Sequence, residues 1–297
     1  MPAVNSAKDS KDRFQIICGF LVCPNCQSPL TPKSSGFACP KDGLFEKNAR
    51  GVPLLIEAGS FSEHQIELDR GINWLKSFLK QFPALYYAIW NIFCPVLQAY
   101  NGPKKIFKEI PKEGVVLDVG SGPYRWDRRC VNVDVSPFPE VDLVADAEHL
   151  PFPNASVDAV VSESLLEHVD NPSAVAREML RVVKSGGVIY ASAPFLTPYH
   201  ASPDDFTRWT TSGLRALFAG AEIIETGVRS GPWSAFLVFL AYWLGVIFAF
   251  GSKKAAPFLA FVFMLVLGPL KIFDLFFAKL PGSETVSAQL YILCRKK

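Results

Sequence analysis

The chain has 297 residues, enough for one large domain with additions or for two ordinary domains with hydrophobic cores. Its 30 Lys and Arg residues are nearly balanced by 28 Asp and Glu residues, which argues against the broad basic surface that drives sequence-independent nucleic-acid binding. The 24 Phe residues are many for a soluble protein, and the apolar excess lies at 233–278. This concentration indicates contact with a membrane.

The N-terminal part begins with a polar tail, 1–15, that lacks the apolar run and cleavage site of a secretory signal peptide. Of the 7 cysteines, Cys23, Cys26 and Cys39 cluster in one short stretch. The odd number and the clustering favour a metal site in a reducing compartment over a disulfide framework. We therefore expect the catalytic part of the protein to face the cytosol.

Residues 16–58 are predicted to form a small cysteine-containing module that ends in a strand at 52–56. Cys23 and Cys26 have knuckle spacing, and Cys39 is followed by Asp42 where a second Cys or His would stand. Three thiolates and one carboxylate could hold Zn²⁺, although a carboxylate is an unusual ligand in a structural zinc site. A redox Cys-x-x-Cys is the alternative, but that motif normally opens a helix after a strand.

The next segment, 61–110, has apolar residues at helical spacing and is predicted to be a helical connector that packs on the protein or lies on lipid. From residue 111 the pattern alternates between strands and helices. One helix follows Asn171, with Pro172 in its first turn and Gly186 as its stop signal. The predicted strands are 115–119, 131–135, 141–145, 157–162, 187–193, 221–227 and 288–294. This order predicts a parallel α/β sheet with ligands at the carboxyl ends of its strands.

The strongest chemical signal is a strand that runs into a Gly-x-Gly turn, Asp118-Val119-Gly120-Ser121-Gly122. A glycine-rich turn alone is weak, because many are only tight corners. Here Asp134 ends the next predicted strand, where a carboxylate could accept hydrogen bonds from both hydroxyls of a ribose. Asp146 and Ala147 follow the third strand.

These motifs resemble those of the class I S-adenosylmethionine-dependent methyltransferases. The resemblance covers about 105–227 and resumes at 288–296. It includes four ordered segments, which are 118–122, 150–158, 166–172 and 181–187. It implies a Rossmann-like α/β fold and S-adenosylmethionine as cofactor. The segment 16–58 also resembles the zinc-ribbon module of a ribosomal RNA guanine methyltransferase and the ribbon of methyltransferase partner subunits.

Carried over residue by residue, the resemblance implies that Gly120 and Gly122 let the backbone approach the cofactor and that Asp134 binds its ribose. Asp146 would meet the adenine amino group, while Ser162 and Glu163 border the methionine end. The complete implied cofactor set is Asp118, Gly120, Ser121, Gly122, Asp134, Asp146, Ala147, Ser162 and Glu163. The chain departs from the family at Tyr124, which replaces a third glycine, and the first helix is reduced to little more than a turn.

The acceptor side is predicted in the loop after the fifth strand. It contains His200, Asp204, Asp205 and Arg208, which could supply a base, its orienting carboxylate and an anion clamp. The alternative is structural, with Asp204 capping the next helix and Asp205 pairing with Arg208 on its surface. A similar stretch occurs in methyltransferases thought to act in glycan and envelope-lipid pathways. Glu167 and His168 lie near the same rim, and His168 is expected to serve structure.

The insertion at 233–278 consists of two apolar runs, 233–250 and 255–270, joined by a short polar turn that contains Lys253 and Lys254. At ~1.5 Å per residue, the first run reaches ~27 Å as a helix, slightly less than the hydrocarbon core of a bilayer. Both ends must return to one sheet, so we expect a hairpin, and the two lysines favour a re-entrant hairpin over a full crossing.

The sequence thus predicts a methyltransferase domain formed by 111–232 and 279–297, with a membrane-associated hairpin inserted before the last strand. The expected acceptor is an amphiphilic molecule, such as a lipid-linked glycan or isoprenoid precursor. One alternative is an RNA methyltransferase, which the cysteine module favours and the missing basic patch opposes. Another is a non-catalytic membrane protein with a degenerate cofactor fold.

Overall fold

The computed structural model describes residues 18–56, 92–98, 102–111, 113–200 and 204–297, together with residues 81, 82, 85, 88 and 89. The polar tail and most of the predicted connector 61–110 lie outside these residues. At the end of the predicted connector, α1 spans Gly102–Glu109.

Two sheets are present in the described part of the chain. The smaller sheet consists of β1, Thr31–Lys33, β2, Gly36–Cys39, and β3, Gly43–Glu46. The strands of the larger sheet are β4, Leu54–Leu55, β5, Val116–Val119, β6, Cys130–Asp134, β7, Leu143–Ala145, β8, Val157–Glu163, β9, Val183–Pro194, β10, Ala221–Ser230, and β11, Gln289–Lys296. All seven strands predicted from residue 115 onward are therefore found.

The large sheet has the strand order β10-β11-β9-β8-β5-β6-β7-β4. The neighbours from β4 to β9 pair in parallel, whereas β11 is antiparallel to both β9 and β10. The predicted Rossmann-like α/β sheet is confirmed. Its order reverses at β5, so that β6 and β8 lie on opposite sides of this strand, and a ligand crevice is expected at their carboxyl ends.

The helix predicted after Asn171 is α2, Pro172–Val182, and the Asn171 side chain caps it by accepting a hydrogen bond from the backbone N–H of Ala174. The predicted stop at Gly186 is wrong, because the helix ends four residues earlier. Val183 is already extended and pairs with Val157 at the start of β9. The adjacent β-branched residues Val182 and Val183 favour this direct change from helix to strand.

The segment between β5 and β6 contains no helix, in line with the predicted truncation, and all of its residues are described. The buried side chain of Arg125 holds this segment in place. Its guanidinium donates to the carbonyl of Cys130 at 2.7 Å and to both carboxylate oxygens of Asp142 at 2.9 and 3.0 Å. It also donates to the carbonyl of Glu140 at 2.7 Å. These charge-assisted bonds fix a loop that would otherwise have no regular backbone pairing.

The small sheet packs directly on the large one. Leu21, Phe37 and Phe45 are buried in the same hydrophobic core as the strands of the large sheet. The backbone N–H of Val22 donates to the carbonyl of Pro151, and β4 extends the large sheet by pairing with β7. The cysteine module is thus attached at the β7 edge.

The hydrophobic insertion folds as two packed helices, α4, Pro232–Phe248, and α5, Ala255–Leu267. A short helix, α3, Thr211–Leu217, precedes them in the chain, before β10. A 3₁₀ turn, Gly268–Phe273, and α6, Asp274–Phe277, continue α5 toward the sheet. The buried Asp274 closes the base of this hairpin by accepting hydrogen bonds from the N–H groups of Trp233 and Ser234 at 2.9 and 2.8 Å.

Candidate cofactor and acceptor site

The Gly-x-Gly turn lies at the carboxyl end of β5, against the end of β6. The backbone N–H groups of Gly120 and Ser121 both donate to the carbonyl of Val133. Gly120 has φ +72°, and a Cβ added there would lie 2.9 Å from the side chain of Leu165. Gly122 has φ +58°, but no atom of the described part of the chain, apart from its own neighbours, lies within 4 Å of the position of its missing Cβ. The first glycine therefore permits close packing, and the second leaves space above the strand ends.

Asp134 is fixed at this turn by its own carboxylate. One oxygen accepts from the N–H of Gly122 and the other from the N–H of Ser136, each at 2.8 Å. The predicted ribose-binding carboxylate thus stands beside the open side of Gly122. Asp146 lies farther along the same edge, after β7, where its side chain is half exposed and accepts from the N–H of Glu148 at 2.9 Å. Ala147, next to it, is partly buried.

Asp118 and Ser162 lie on the adjacent strands β5 and β8. Both are buried, and neither Asp118 Oδ2 nor Ser162 Oγ has a hydrogen-bond partner among the described residues. Burial raises the pKa of the Asp118 carboxyl well above its usual range, and the negative charges of Glu163 and Asp134 add to this effect. Buried polar atoms without partners are uncommon and indicate that something else occupies the space they face.

Glu163, at the end of β8, forms a buried ion pair that the sequence did not reveal. Arg229 on β10 donates to its two carboxylate oxygens at 2.6 and 3.0 Å, and to the side-chain oxygen of Gln98 at 2.7 Å. The same guanidinium lies over the ring of Trp126, 5.8 Å from its centroid. Glu163 therefore borders the predicted methionine end while already paired with a cation.

The residues at this edge fit S-adenosylmethionine. The open side of Gly122 admits a ligand next to Asp134, and the unpartnered atoms of Asp118 and Ser162 offer acceptor positions for the polar methionine end. The Leu-Pro-Phe stretch that follows Asp146 is fixed by Arg181, which donates to the carbonyls of Leu150 and Phe152 at 2.8 and 2.6 Å.

The loop after β9 is built around Asp205 and Arg208, which form an ion pair in the loop before the helix, with the Asp205 side chain buried, and not the predicted pair on the helix surface. The carboxylate of Asp205 also accepts from the backbone N–H of His200 at 2.7 Å. Although burial opposes its ionisation, the bonds from Arg208 and His200 lower the pKa of Asp205 to about 2. Arg208 donates further to the carbonyls of Thr197, Pro198 and Thr207, so each of its N–H groups has an acceptor. Its predicted role as an anion clamp would require giving up one of these bonds.

Asp204 does not cap the following helix, which begins at Thr211 and is capped by Thr210. Its backbone carbonyl instead lies 2.6 Å from Nδ1 of His168. His168 and His200 face each other edge to face, with ring centroids 5.4 Å apart. Both approach the buried carboxylate of Glu167, so the structure gathers Glu167, His168 and His200, called here the acceptor cluster, beside Asp205 and Arg208. Residues 201–203 lie outside the described chain.

The acceptor cluster borders the cofactor edge. Leu165, whose side chain packs against Gly120, is two residues before Glu167. The loop that carries His200 is tied to this segment, since the N–H of Phe206 donates to the carbonyl of Glu167 at 2.7 Å. Residues predicted for the two halves of the site therefore meet at one rim.

The four predicted metal ligands of the cysteine module also come together. Oδ2 of Asp42 lies 3.1 Å from the sulfur atoms of Cys23 and Cys39, and the sulfur atoms of Cys26 and Cys39 are 3.4 Å apart. Such separations suit four ligands around one tetrahedral ion, with Zn–S of about 2.3 Å.

The hairpin begins at the same sheet edge as the cofactor residues. Ser230, the last residue of β10 before the hairpin, has its hydroxyl 3.2 Å from the side-chain oxygen of Gln289. Gln289 in turn donates to Ser164, directly after β8, at 3.1 Å. The first hairpin helix therefore starts a few side chains away from the end of β8.

Comparison with known proteins finds similarity to methyltransferases. Residues 115–191 match the family model described as a methyltransferase domain. A ubiquinone/menaquinone biosynthesis C-methyltransferase of Coxiella burnetii is 34% identical over 110 residues, which cover 35% of this chain and 44% of that protein. A probable S-adenosylmethionine-dependent methyltransferase of Mycolicibacterium smegmatis is 30% identical over 115 residues, covering 32% of this chain and 45% of that one.

Among solved structures, the 1,6-didemethyltoxoflavin-N1-methyltransferase of Burkholderia thailandensis covers 77% of this chain and 92% of its own, with 13% identity and a TM-score of 0.43. The chain spans less than half the length of the two curated relatives. The family match confirms the predicted methyltransferase domain over residues 115–191, and the relative from Mycolicibacterium smegmatis supports S-adenosylmethionine as its cofactor.

Proposed function

We propose that the protein is an S-adenosylmethionine-dependent methyltransferase that works at a membrane surface on a lipid or a lipid-linked glycan or isoprenoid precursor. The observation that carries this proposal is that the hairpin starts at the same edge of the sheet as the cofactor site. The helix that begins at Pro232 leaves the sheet at the edge where Asp118, Asp134 and Ser162 gather. An acceptor with its apolar part in lipid would meet the methyl group at this edge.

On the cofactor side, Asp134 would hold the ribose hydroxyls and Asp146 the adenine amino group. Asp118 and Ser162 would accept hydrogen bonds from the methionine end. Gly122, which has no side chain, would let the protein backbone approach the cofactor closely. Bound S-adenosylmethionine supplies an electrophilic sulfonium methyl, so the protein's main task is to align the nucleophile with it.

The surface of the hairpin supports the membrane part of the proposal. Large apolar side chains are exposed along both helices and at the tip, including Phe239, Trp243, Phe250, Phe258 and Val266. The continuous helical run Ala255–Phe277 is long and apolar enough to cross a membrane, whereas Pro232–Phe248 is shorter. Soluble monomers rarely expose apolar patches of this extent, and lipid is a partner that would cover them. We propose that the catalytic part lies on the cytosolic face.

On the acceptor side, the acceptor cluster would handle the proton that a hydroxyl acceptor loses as the methyl arrives. His200 as the general base stays a prediction, as do the orienting role of Asp204 or Asp205 and the anion-binding role of Arg208. The ion pair between Arg208 and the buried Asp205 supports a positioning role, because Asp205 also holds the backbone N–H of His200.

We also propose that Cys23, Cys26, Cys39 and Asp42 bind Zn²⁺ and that this ion stabilises the small sheet. The small sheet packs in the same hydrophobic core as the large sheet, and the strand that follows it, β4, pairs with β7, which supports a structural role for the ion.

The experiment that tests the proposed function uses purified protein and S-adenosylmethionine with a labelled methyl group. The protein is incubated separately with a lipid extract and with total RNA, and the labelled products are identified by mass spectrometry. Label in the lipid fraction is the expected result. Label in RNA alone would replace the lipid acceptor by a nucleic acid, and no cofactor binding by well-folded protein would remove the methyltransferase proposal.

A further inference from the structure

The carboxylate of Glu167 is fully buried, and neither of its oxygens has a hydrogen-bond partner among the described residues. An ionised carboxylate in such a place costs several kcal/mol unless a cation or donors neutralise it. The nearby Arg208 donates no hydrogen bond to it, since its N–H groups are bound to Asp205 and to backbone carbonyls. Arg208 thus acts on Glu167 only through its charge, and the carboxylate lacks a hydrogen-bond donor among the described residues.

Two histidines face the same oxygen of Glu167. Nε2 of His168 lies 3.7 Å from Oε1, and Nε2 of His200 lies 3.9 Å from it. The other ring nitrogens approach backbone carbonyls, with Nδ1 of His168 2.6 Å from that of Asp204 and Nδ1 of His200 3.1 Å from that of Pro198.

These contacts determine the tautomers, because a carbonyl oxygen can only accept. Nδ1 of His168 therefore carries a proton. Nδ1 of His200 also lies 3.4 Å from the Asp205 carboxylate and 3.5 Å from Nη2 of Arg208, and the two nearer acceptors favour a proton on this nitrogen, so that in a neutral ring each Nε2 presents its lone pair to Glu167. Three electron-pair donors then converge with no proton between them. A carbonyl behind the far ring nitrogen is also the usual support of a metal-binding histidine, since it fixes the ring and directs the second nitrogen toward the ion.

We propose that Glu167, His168 and His200 bind a divalent cation of the zinc class. Their three ligand atoms all lie within 4.8 Å of one another. Two ligands on one ion are separated by up to about 4 Å, since each lies about 2.0–2.2 Å from it, so a small movement of the half-exposed His200 ring closes the set. Two imidazoles and one carboxylate favour Zn²⁺, Fe²⁺ or Co²⁺ over Mg²⁺ or Ca²⁺, which prefer oxygen ligands.

Three protein ligands leave a coordination position open, as in catalytic sites. The role of the ion rests on the proposed function. A hydroxyl acceptor bound at the open position would become more acidic and lose its proton to water. Its oxygen would then form the new bond to the methyl carbon as the bond from that carbon to the sulfonium sulfur breaks, which releases S-adenosylhomocysteine. The ion would thus perform the task otherwise predicted for a histidine base.

The test counts metal ions in protein that has been stripped with a chelator, dialysed against Co²⁺ and freed of excess ion. The cysteine quartet is a second potential site, so the comparison is between variants. Glu167→Gln and His200→Ala should each bind one equivalent fewer than wild type. Cys26→Ser should retain the Co²⁺ bound to the acceptor cluster. This ion has no thiolate ligand and therefore shows no thiolate-to-metal charge-transfer absorption. His149→Ala, a change at another exposed histidine, should match wild type.

Equal Co²⁺ content in wild type, Glu167→Gln and His200→Ala would overturn the proposal. Thermal unfolding guards against misfolded variants, because added Co²⁺ should raise the Tm of His149→Ala and should raise that of His200→Ala by less. The count needs neither S-adenosylmethionine nor an acceptor. A failure here therefore leaves the proposed methyl transfer standing, and a lack of cofactor binding would leave the metal site untouched.

Discussion

The guanidinium of Arg229, only 1% exposed, donates to both carboxylate oxygens of Glu163 across 66 residues of sequence. The pair joins the end of β8 to the end of β10, the strand that leads into the hairpin. Gln98 is bound to the same guanidinium, and its backbone pairs with that of Ser230. The cofactor edge and the base of the hairpin thus share one buried polar network.

This pair predicts a non-additive effect on stability. Arg229→Met should lower the free energy of unfolding by about 3–5 kcal/mol, because it leaves the Glu163 carboxylate buried without its cation. The double variant Arg229→Met with Glu163→Gln should recover part of that loss. Urea denaturation of the wild type, the single variants and the double variant measures the coupling.

A matched control for Arg229 is the exposed pair of Lys105 and Glu225, with N–O separation 2.9 Å. Lys105→Ala should change the free energy of unfolding by about 1 kcal/mol or less, since surface ion pairs contribute little. A double variant as unstable as Arg229→Met would show that lost packing, rather than the unpaired charge, causes the effect.

The sequence predicted the sheet well because its strands are short β-branched runs separated by turn residues. It also predicted the cysteine quartet, whose members are close in sequence. It missed Arg229 because that residue lies at a shift in the pairing of β10 with β11, between Val228 and Ser230, where simple alternation fails. It did not show that His168 approaches His200, because this contact depends on how two separate loops meet.

Gly122 and Gly186 provide a matched pair for testing the cofactor turn. Both have positive φ, +58° and +78°, and both have open space where a Cβ would be. Gly122→Ala and Gly186→Ala should therefore carry a similar backbone strain of about 1 kcal/mol. Only Gly122→Ala should weaken binding of S-adenosylmethionine, as measured by calorimetry, because its methyl group enters the cofactor space. Equal affinities in the two variants would contradict the assignment of this turn.

Asp118→Asn should remove a pH dependence of stability. The folded-state pKa of Asp118 is raised, chiefly by burial, above the ordinary value of about 3.9. Above that value the folded protein keeps a proton that the unfolded chain releases, so this group makes the free energy of unfolding fall as the pH rises through the window up to its folded pKa. In urea denaturation without cofactor, the Asn variant should lose less stability than wild type over this window. Parallel pH profiles would argue against a raised pKa.

Charged substitutions on the hairpin should weaken membrane binding without affecting the cofactor site. Trp243 and Phe250 are 63% and 89% exposed, so Trp243→Asp and Phe250→Asp should leave the fold intact while removing apolar surface from lipid. Binding to phospholipid vesicles should fall, with unchanged affinity for S-adenosylmethionine. Leu44→Asp, at an exposed apolar residue of the small sheet, is the control.

Deletion of 233–278 is the stronger form of the same test. The deletion removes both Asp274 and the start of the helix α4 that it caps, so no buried partner is left behind. The flanking strands β10 and β11 are paired neighbours that a short linker can join. We expect a soluble domain that still binds S-adenosylmethionine. Wild-type protein that remains wholly soluble without detergent would contradict the membrane assignment.

His200→Ala should lower turnover by about 10²–10⁴ while leaving the affinity for S-adenosylmethionine nearly unchanged, because a group that handles the acceptor's proton contributes on this order. The ring is 36% exposed, so its loss should not disturb the core. Both constants must be measured on the same preparation with the acceptor found in the labelling experiment. Turnover within about threefold of wild type would make His200 a structural loop residue. A parallel fall in cofactor affinity would assign it to the cofactor site, and restoration of turnover by added Co²⁺ or Zn²⁺ would favour the metal-ligand role over that of a base.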